Sequence, residues 1–288
     1  MNNSEKVPLE FELLIMKRGS ATRGVPPGKE DLSWVANTAT VFWGRSDAVL
    51  VDTFLSDQQT SALADFIESK RRTLRTIYLT HAHPDHFFGL TTLLQRFPEA
   101  RAVATPKVVA AMKATTAPQT LESLWKRRFP GQIPEHLSIA DVLESDGFEL
   151  EGHRFEVIDL GHTDTDDTTG LHVPSLGLVV AGDAVYNEAH PFLVETDRAG
   201  RRAWLAALDK IEALRPSKVI VGHGSLTPDN SPRHIEATRR YIENFDRLER
   251  VTSTARELYD AMLRLYPDRI NPGSLWGSAH VAKGEPLG

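Results

Sequence analysis

The chain has 288 residues, 41% hydrophobic and 25% charged, the balance of an ordinary globular protein able to bury a large core. A formal net charge of -6 and a pI near 6.0 exclude a basic nucleic-acid footprint as the main feature of the surface. With no cysteine in the sequence, disulfides, thiolate metal sites and cysteine nucleophiles are excluded as well.

The amino-terminal segment holds a mostly apolar run of only six residues, Phe11 to Met16, preceded by acidic residues, which fits neither a secretory signal nor a membrane span. The expectation is a cytoplasmic protein acting on a small-molecule substrate, without nucleic-acid or membrane partners, and self-associating as a dimer. A long Gly/Pro loop, "RGSATRGVPPGKEDLSW", covers 18 to 34. The first buried strand is "AVLVDT" (48 to 53), followed by a helix from a Ser56 cap with Leu63, Phe66 and Ile67 on one face. "RTIYLTH" (75 to 81) is the second strand, and "HFFGLTTLLQRF" the helix after it. The stretch 106 to 146 is a mixed helical insertion within a single domain spanning 1 to 288. "FEVIDLGH" (155 to 162), "GLVVAGD" (177 to 183) and "SKVIVGH" (217 to 223) complete a set of five apolar runs that read as strands buried on both faces. A helix carrying Trp204, Leu205, Leu208, Ile211 and Leu214 stops before Pro216. C-terminal helices fill about 231 to 266, the first opening with Ser231 and Pro232 at cap and first-turn positions.

Each of the five runs ends in Asp or His. In layered α/β folds ligands gather beyond the ends of strands, so this repetition points to one shared site. The densest part is "HAHPDH": in extended chain His81 and His83 face the same way and can grip one ion, while Asp85 and His86 turn toward another. Imidazole with carboxylate suits zinc, and also iron, manganese or cobalt. No serine elbow of the G-x-S-x-G type is present.

"HAHPDH", with "VDT" before it and "GHT", "GD" and "GH" after it, resembles the HxHxDH pattern of the metallo-β-lactamase superfamily from about residue 48 to 224. The resemblance implies an αββα sandwich, two packed mixed sheets flanked by helices. It implies two Zn2+ ions, other divalent transition metals being alternatives: His81, His83 and His162 on the first, Asp85, His86 and His223 on the second, Asp183 bridging. Asp52 would support the ligands through a hydrogen bond. Within the superfamily the local pattern is closest to acyl-homoserine lactonases, because Tyr186 stands three places after Asp183, where a phenol can donate to a developing oxyanion. The implied reaction is hydrolysis of a lactone or carboxylic ester by a metal-bound hydroxide, with Asp85 and Tyr186 as catalytic residues. Phe87, Phe88, Trp34 and Phe192 are candidates to line an apolar substrate pocket. Alternatives are a glyoxalase II-type thioesterase, a promiscuous β-lactam hydrolase and a mononuclear iron persulfide-oxidising enzyme. The remaining histidines, 136, 153, 172, 190, 234 and 280, are expected to be ordinary surface or core residues.

Overall fold

The computed structural model describes residues 8–20 and 28–286, so the Gly/Pro loop is described only at its two ends, and residues 1–7 of the amino-terminal segment lie outside it. The chain divides into two compact units, one of Met1–Ile15, Thr38–Ile158 and Thr169–Leu178, the other of Met16–Asn37, Asp159–Thr168 and Val179–Gly288. In chain order the elements run β1 (Glu10–Gly19), β2 (Trp34–Trp43), β3 (Asp47–Val51), α1 (Asp57–Ser69), β4 (Thr73–Tyr78), α2 (Pro84–Phe87), α3 (Leu90–Arg96), β5 (Arg101–Ala104) and α4 (Pro106–Thr115). The chain continues through α5 (Pro118–Thr120), a π-helical turn at Leu121–Trp125, α6 (Lys126–Arg128) and β6 (Asp141–Val142). Then come β7 (Gly147–Leu150), β8 (His153–Gly161), β9 (Thr168–Val173), β10 (Leu178–Tyr186), α7 (Arg198–Ala213), β11 (Lys218–His223), α8 (Arg233–Val251), α9 (Ala255–Leu265) and α10 (Pro272–Lys283).

In the first unit β2 and β3 form an antiparallel pair, with Thr40 opposite Val51 and Trp43 opposite Ala48. The strands β3, β4, β5 and β6 are parallel neighbours. Parallel pairing needs a crossover long enough to return the chain, and helices α1, then α2 with α3, then α4 to α6 occupy those connections. One consequence is directional. The carboxyl ends of β3 and β4 lie side by side, Val51 opposite Tyr78, so Asp52 and the "HAHPDH" loop leave the sheet at the same edge. Ser56 caps α1 as the sequence predicts, accepting from the Gln59 amide.

In the second unit the start of β2 pairs antiparallel with β11, His223 opposite Asn37, and β10 lies beside β11. Helix α7 packs Trp204, Ala207, Leu208 and Ile211 inward. The Trp204 indole, fully buried, donates to the Ala184 carbonyl of β10 at 2.8 Å and lies 6.2 Å from the Tyr186 ring. The first turn of α7 is tied to α8 by buried Arg201, which forms ion pairs with Asp246 and Glu249, donates to the Thr196 carbonyl at 3.1 Å and sits 5.2 Å over Phe245.

Several elements differ from the sequence reading. The helix after "HAHPDH" is two pieces, because the Gly89 amide donates to the Phe54 carbonyl at 2.9 Å instead of continuing the helical ladder, in a close approach that leaves no room for a Cβ. Strand β8 is only partly covered rather than buried on both faces. Pro232 itself takes the cap position of α8, while Ser231 Oγ accepts from the Arg233 amide at 3.3 Å. The last helix read from the sequence is α9, and α10 follows it unforeseen. Its buried face is largely Pro, Gly, Ser and Ala, so no apolar stripe marks it.

The Arg201 tie is testable. Arg201→Ala leaves two largely buried carboxylates without their cation, and unfolding in denaturant should show a loss of roughly 3–5 kcal/mol. A loss below about 1 kcal/mol would mean the tie is a surface-type pair of no structural weight.

Candidate metal centre

In the first unit the ligand-bearing loop is organised by Asp52. This residue adopts a left-handed conformation, φ 60°, directly after β3, and is 2% exposed. Its amide donates to the Tyr78 carbonyl at 2.9 Å, and the next amide, of Thr53, donates to the His86 carbonyl at 2.8 Å. Its carboxylate then collects three donors: the Thr80 amide on Oδ1 at 2.8 Å, and the Thr80 hydroxyl at 2.8 Å and His86 Nδ1 at 3.0 Å on Oδ2. Because the single Thr80 hydroxyl proton goes to Asp52, the contact of that oxygen with His81 Nδ1 at 3.0 Å has the imidazole as donor. Both rings are thereby held in the tautomer that leaves the Nε2 lone pair to ligate. The His81 ring centroid lies 4.9 Å from that of His83 and 4.2 Å from that of His86. His81 and His83 offer ligand atoms within 4.8 Å of each other, and so do Asp85 and His86.

In the second unit β10 delivers Asp183 and β11 delivers His223. His223 Nδ1 donates to the Ala36 carbonyl at 3.0 Å, so in the neutral ring the lone pair is on Nε2, and Nε2 stands 2.9 Å from Asp183 Oδ2. Two acceptors this close need a cation between them, a proton or a metal. Ligand atoms about 2.1 Å from a common ion are roughly 3.0 to 3.4 Å apart at angles from 90° to the tetrahedral value, so the pair lies at the close end of the range for a shared metal. Gly222 makes the approach possible: a Cβ there would fall 1.9 Å from Asp183 Oδ1. His162 Nδ1 donates to Asp166 Oδ1 at 2.6 Å, and its Nε2 is buried with no hydrogen-bond partner among the described residues, beside Gly200 of α7, whose added Cβ would come within 2.5 Å. The carboxylate placed within 4.8 Å of Asp183 in this unit is that of Asp164, a fully buried residue of "GHTDTDD" that the sequence pattern does not single out. His162 is not in that group.

Tyr186 is buried, and its hydroxyl donates to Asp183 Oδ2 at 3.2 Å. Phe87 and Phe88 are fully buried with their rings edge to face at 5.0 Å, so their surface is taken up by the core. Trp34 and Phe192 remain half-buried, and Lys17 lies 4.3 Å over the Trp34 ring. Most of the other histidines are held by local partners: His172 by Glu156, His153 by Ser175 and His280 by the Trp276 carbonyl, each at 2.9 Å. His190 is different in being fully buried, on the Tyr241 hydroxyl at 2.8 Å, where desolvation holds its pKa well below the usual imidazole value.

In each unit the donors are imidazoles and carboxylates without thiolate, with Nδ1 committed elsewhere on His81 and His86 in the first and on His162 and His223 in the second, which fits a borderline divalent ion such as zinc. Asp52→Asn should therefore weaken metal binding by about 10 to 100-fold in competition with a chelator, because it disturbs two ligands at once. Gly222→Ala should lose more, whereas His280→Ala should match the parent protein. If Asp52→Asn binds metal as well as His280→Ala does, the supporting role is wrong.

Comparison with known proteins agrees with this reading. The family model described as the metallo-beta-lactamase superfamily matches residues 32–223, more than half of the chain. The uncharacterized protein YobT of Bacillus subtilis is 26% identical over 184 residues, covering 59% of this chain and 75% of that protein. The beta-lactamase-like protein 2 homolog of Drosophila melanogaster is 22% identical, covering 63% of this chain and 56% of its own length. Among solved structures, a metallo-beta-lactamase family protein from Thermus thermophilus superposes with a TM-score of 0.66 at 19% identity, over 94% of this chain and 92% of the other. A metallo-beta-lactamase from Pontibacter korlensis does so with 0.61 at 18% identity, over 82% of this chain and all of its own. The likeness is one of fold, mixed sheets flanked by helices in the α/β sandwich expected from the motif. With the "HAHPDH" loop, the Asp and His strand ends and the match over residues 32–223, the chain belongs to the metallo-β-lactamase superfamily.

Proposed function

We propose that the chain is a metal-dependent hydrolase that cleaves a lactone or carboxylic ester, with two zinc ions as its cofactor. The observation that carries the metal is the His223 and Asp183 pair, 2.9 Å apart with the imidazole already committed as a donor on its other nitrogen. The residues that would hold the ions are those of the motif, His81, His83, His162, Asp85, His86, Asp183 and His223, with Asp164 as a further candidate carboxylate. Divalent ions held there would supply a Lewis acid and lower the pKa of a coordinated water to about 7.

The chain's own residues then have distinct tasks. Asp52 and Thr80 keep His81 and His86 in one tautomer and orientation, so no reorganisation is needed during turnover. The Tyr186 phenol, donating to Asp183 at 3.2 Å, is close enough to the ligands to turn its proton to the oxyanion of a bound ester. Trp34 and Phe192, which keep part of their apolar surface accessible, would meet the acyl portion. The lactone or ester preference is supported by the Asp-x-x-Tyr spacing and the Tyr186 contact.

The metal claim predicts close to two transition-metal ions per chain on elemental analysis, loss of activity in strong chelator and a lower melting temperature without metal. A metal-free protein with full activity would end it. The substrate claim rests on Tyr186→Phe, which should retain its metals yet lose kcat by about 10 to 10³-fold on a lactone with little change in KM. Unchanged kcat on matched lactone and thioester substrates would reduce Tyr186 to a packing residue.

A further inference from the structure

The loop that follows β10 is strapped to the segment before α10. The Ile270 amide donates to the Glu188 carbonyl at 2.9 Å, the His190 amide donates to the Ile270 carbonyl at 2.9 Å, and Ala189 forms a parallel bridge with Ile270. This fixes the backbone of Arg269. Its guanidinium lies 4.9 Å from both the Tyr241 and the Tyr266 ring centroids, and one nitrogen, Nη1, donates to the Ala189 carbonyl at 2.7 Å. Among the described residues no carboxylate pairs with Arg269 and no acceptor meets its other N–H groups. Desolvation lowers its pKa, although the flanking tyrosines and Glu188 act in the opposite direction.

Arg269 opens onto a cavity of about 380 Å³ that Asn187, Glu188, Arg233, His234 and Arg240 also line. The other two guanidiniums are partly neutralised: Arg233 by Asp229 at 2.5 Å and Arg240 by Glu236 at 3.7 Å. His234, 3.4 Å from Asp229, has its pKa lowered by desolvation and so faces the cavity as a neutral ring near pH 7. Asn187 is 4% exposed and its Oδ1 is buried without a partner among the described residues, so its amide is available to a ligand as donor or acceptor. A rigid planar fork with unmet donors, held in an aromatic sandwich and partly desolvated, is suited to bidentate capture of an oxyanion. The volume is at the small end for organic ligands and admits a compact molecule.

We infer that this cavity, built around Arg269, is a binding site for the anionic group, carboxylate or phosphate, of a small molecule. The site is separate from the ligand set of the metal centre and does not rest on the proposed reaction. It adjoins that centre through the chain, since the Asn187 amide donates to the His223 carbonyl at 3.1 Å.

The test is calorimetric titration of the metal-loaded protein at low, constant ionic strength, with inorganic phosphate in one arm and succinate in the other. One saturable site per chain is expected in at least one arm, and the tighter arm identifies the group. Arg269→Gln should weaken it by about 10 to 100-fold, the range for a charge-assisted hydrogen bond. His83→Ala, which disturbs the metal centre, should leave it within about twofold. Binding that survives Arg269→Gln but is lost in His83→Ala places the anion on the metals and overturns the inference, and so does the absence of saturable binding in both arms. Should Arg269→Gln fail to fold by circular dichroism, Arg240→Gln on the exposed face of α8 serves instead. It should weaken binding at least threefold, and unchanged affinity there also overturns the inference.

Discussion

The carboxylate of Asp52 is the constraint on which the arrangement of the "HAHPDH" loop depends. A non-glycine residue in the left-handed region costs on the order of 1 kcal/mol or more, and here it is buried as well. That cost is offset by three hydrogen bonds to one ionised side chain and by backbone bonds that join the end of β3 to the end of β4 and to the His86 turn. Without the reversal at Asp52 the carboxylate could not face Thr80, and neither His81 nor His86 would have a fixed partner. The parallel pairing of β3 and β4 is what brings the two strand ends close enough for this to happen.

The four supported imidazoles are not equivalent. His86 donates directly to a buried carboxylate, His81 reaches the same carboxylate through the Thr80 hydroxyl, and His223 donates to a neutral carbonyl. His162 donates to Asp166, whose side chain is 85% exposed. A buried ionic acceptor makes the far nitrogen more basic than a carbonyl or a solvated carboxylate does, so His86 is the strongest donor of the four and His223 and His162 are weaker. As candidate ligands the four are therefore graded by their surroundings even though the residue type is constant.

Much of this was legible before any coordinates. Apolar runs ending in Asp or His mark the strands β3, β4, β8, β10 and β11, and the spacing within "HAHPDH" marks the loop that gathers His81, His83, Asp85 and His86, because strand-end placement and residue type both survive in linear sequence. Asp52 was legible as a support since its carboxylate is written in the sequence. The Ala36 carbonyl that orients His223 was not, because a backbone acceptor has no signature of its own. Asp164 follows the "GHT" of the motif with no spacing of its own to mark it, and the break at Gly89 depends on the carbonyl of Phe54, distant in sequence. Helix α10 escaped because small buried residues pack closely without forming an apolar stripe.

Trp204 carries a consequence of a spectroscopic kind. Its indole N–H is held by the Ala184 carbonyl, one residue from Asp183, and the ring is wholly enclosed against Tyr186. A fluorophore with no exposure and a fixed hydrogen bond has little motion of its own to report. Changes in its emission would thus register displacement of β10, making this side chain an intrinsic optical gauge of the strand that carries the aspartate.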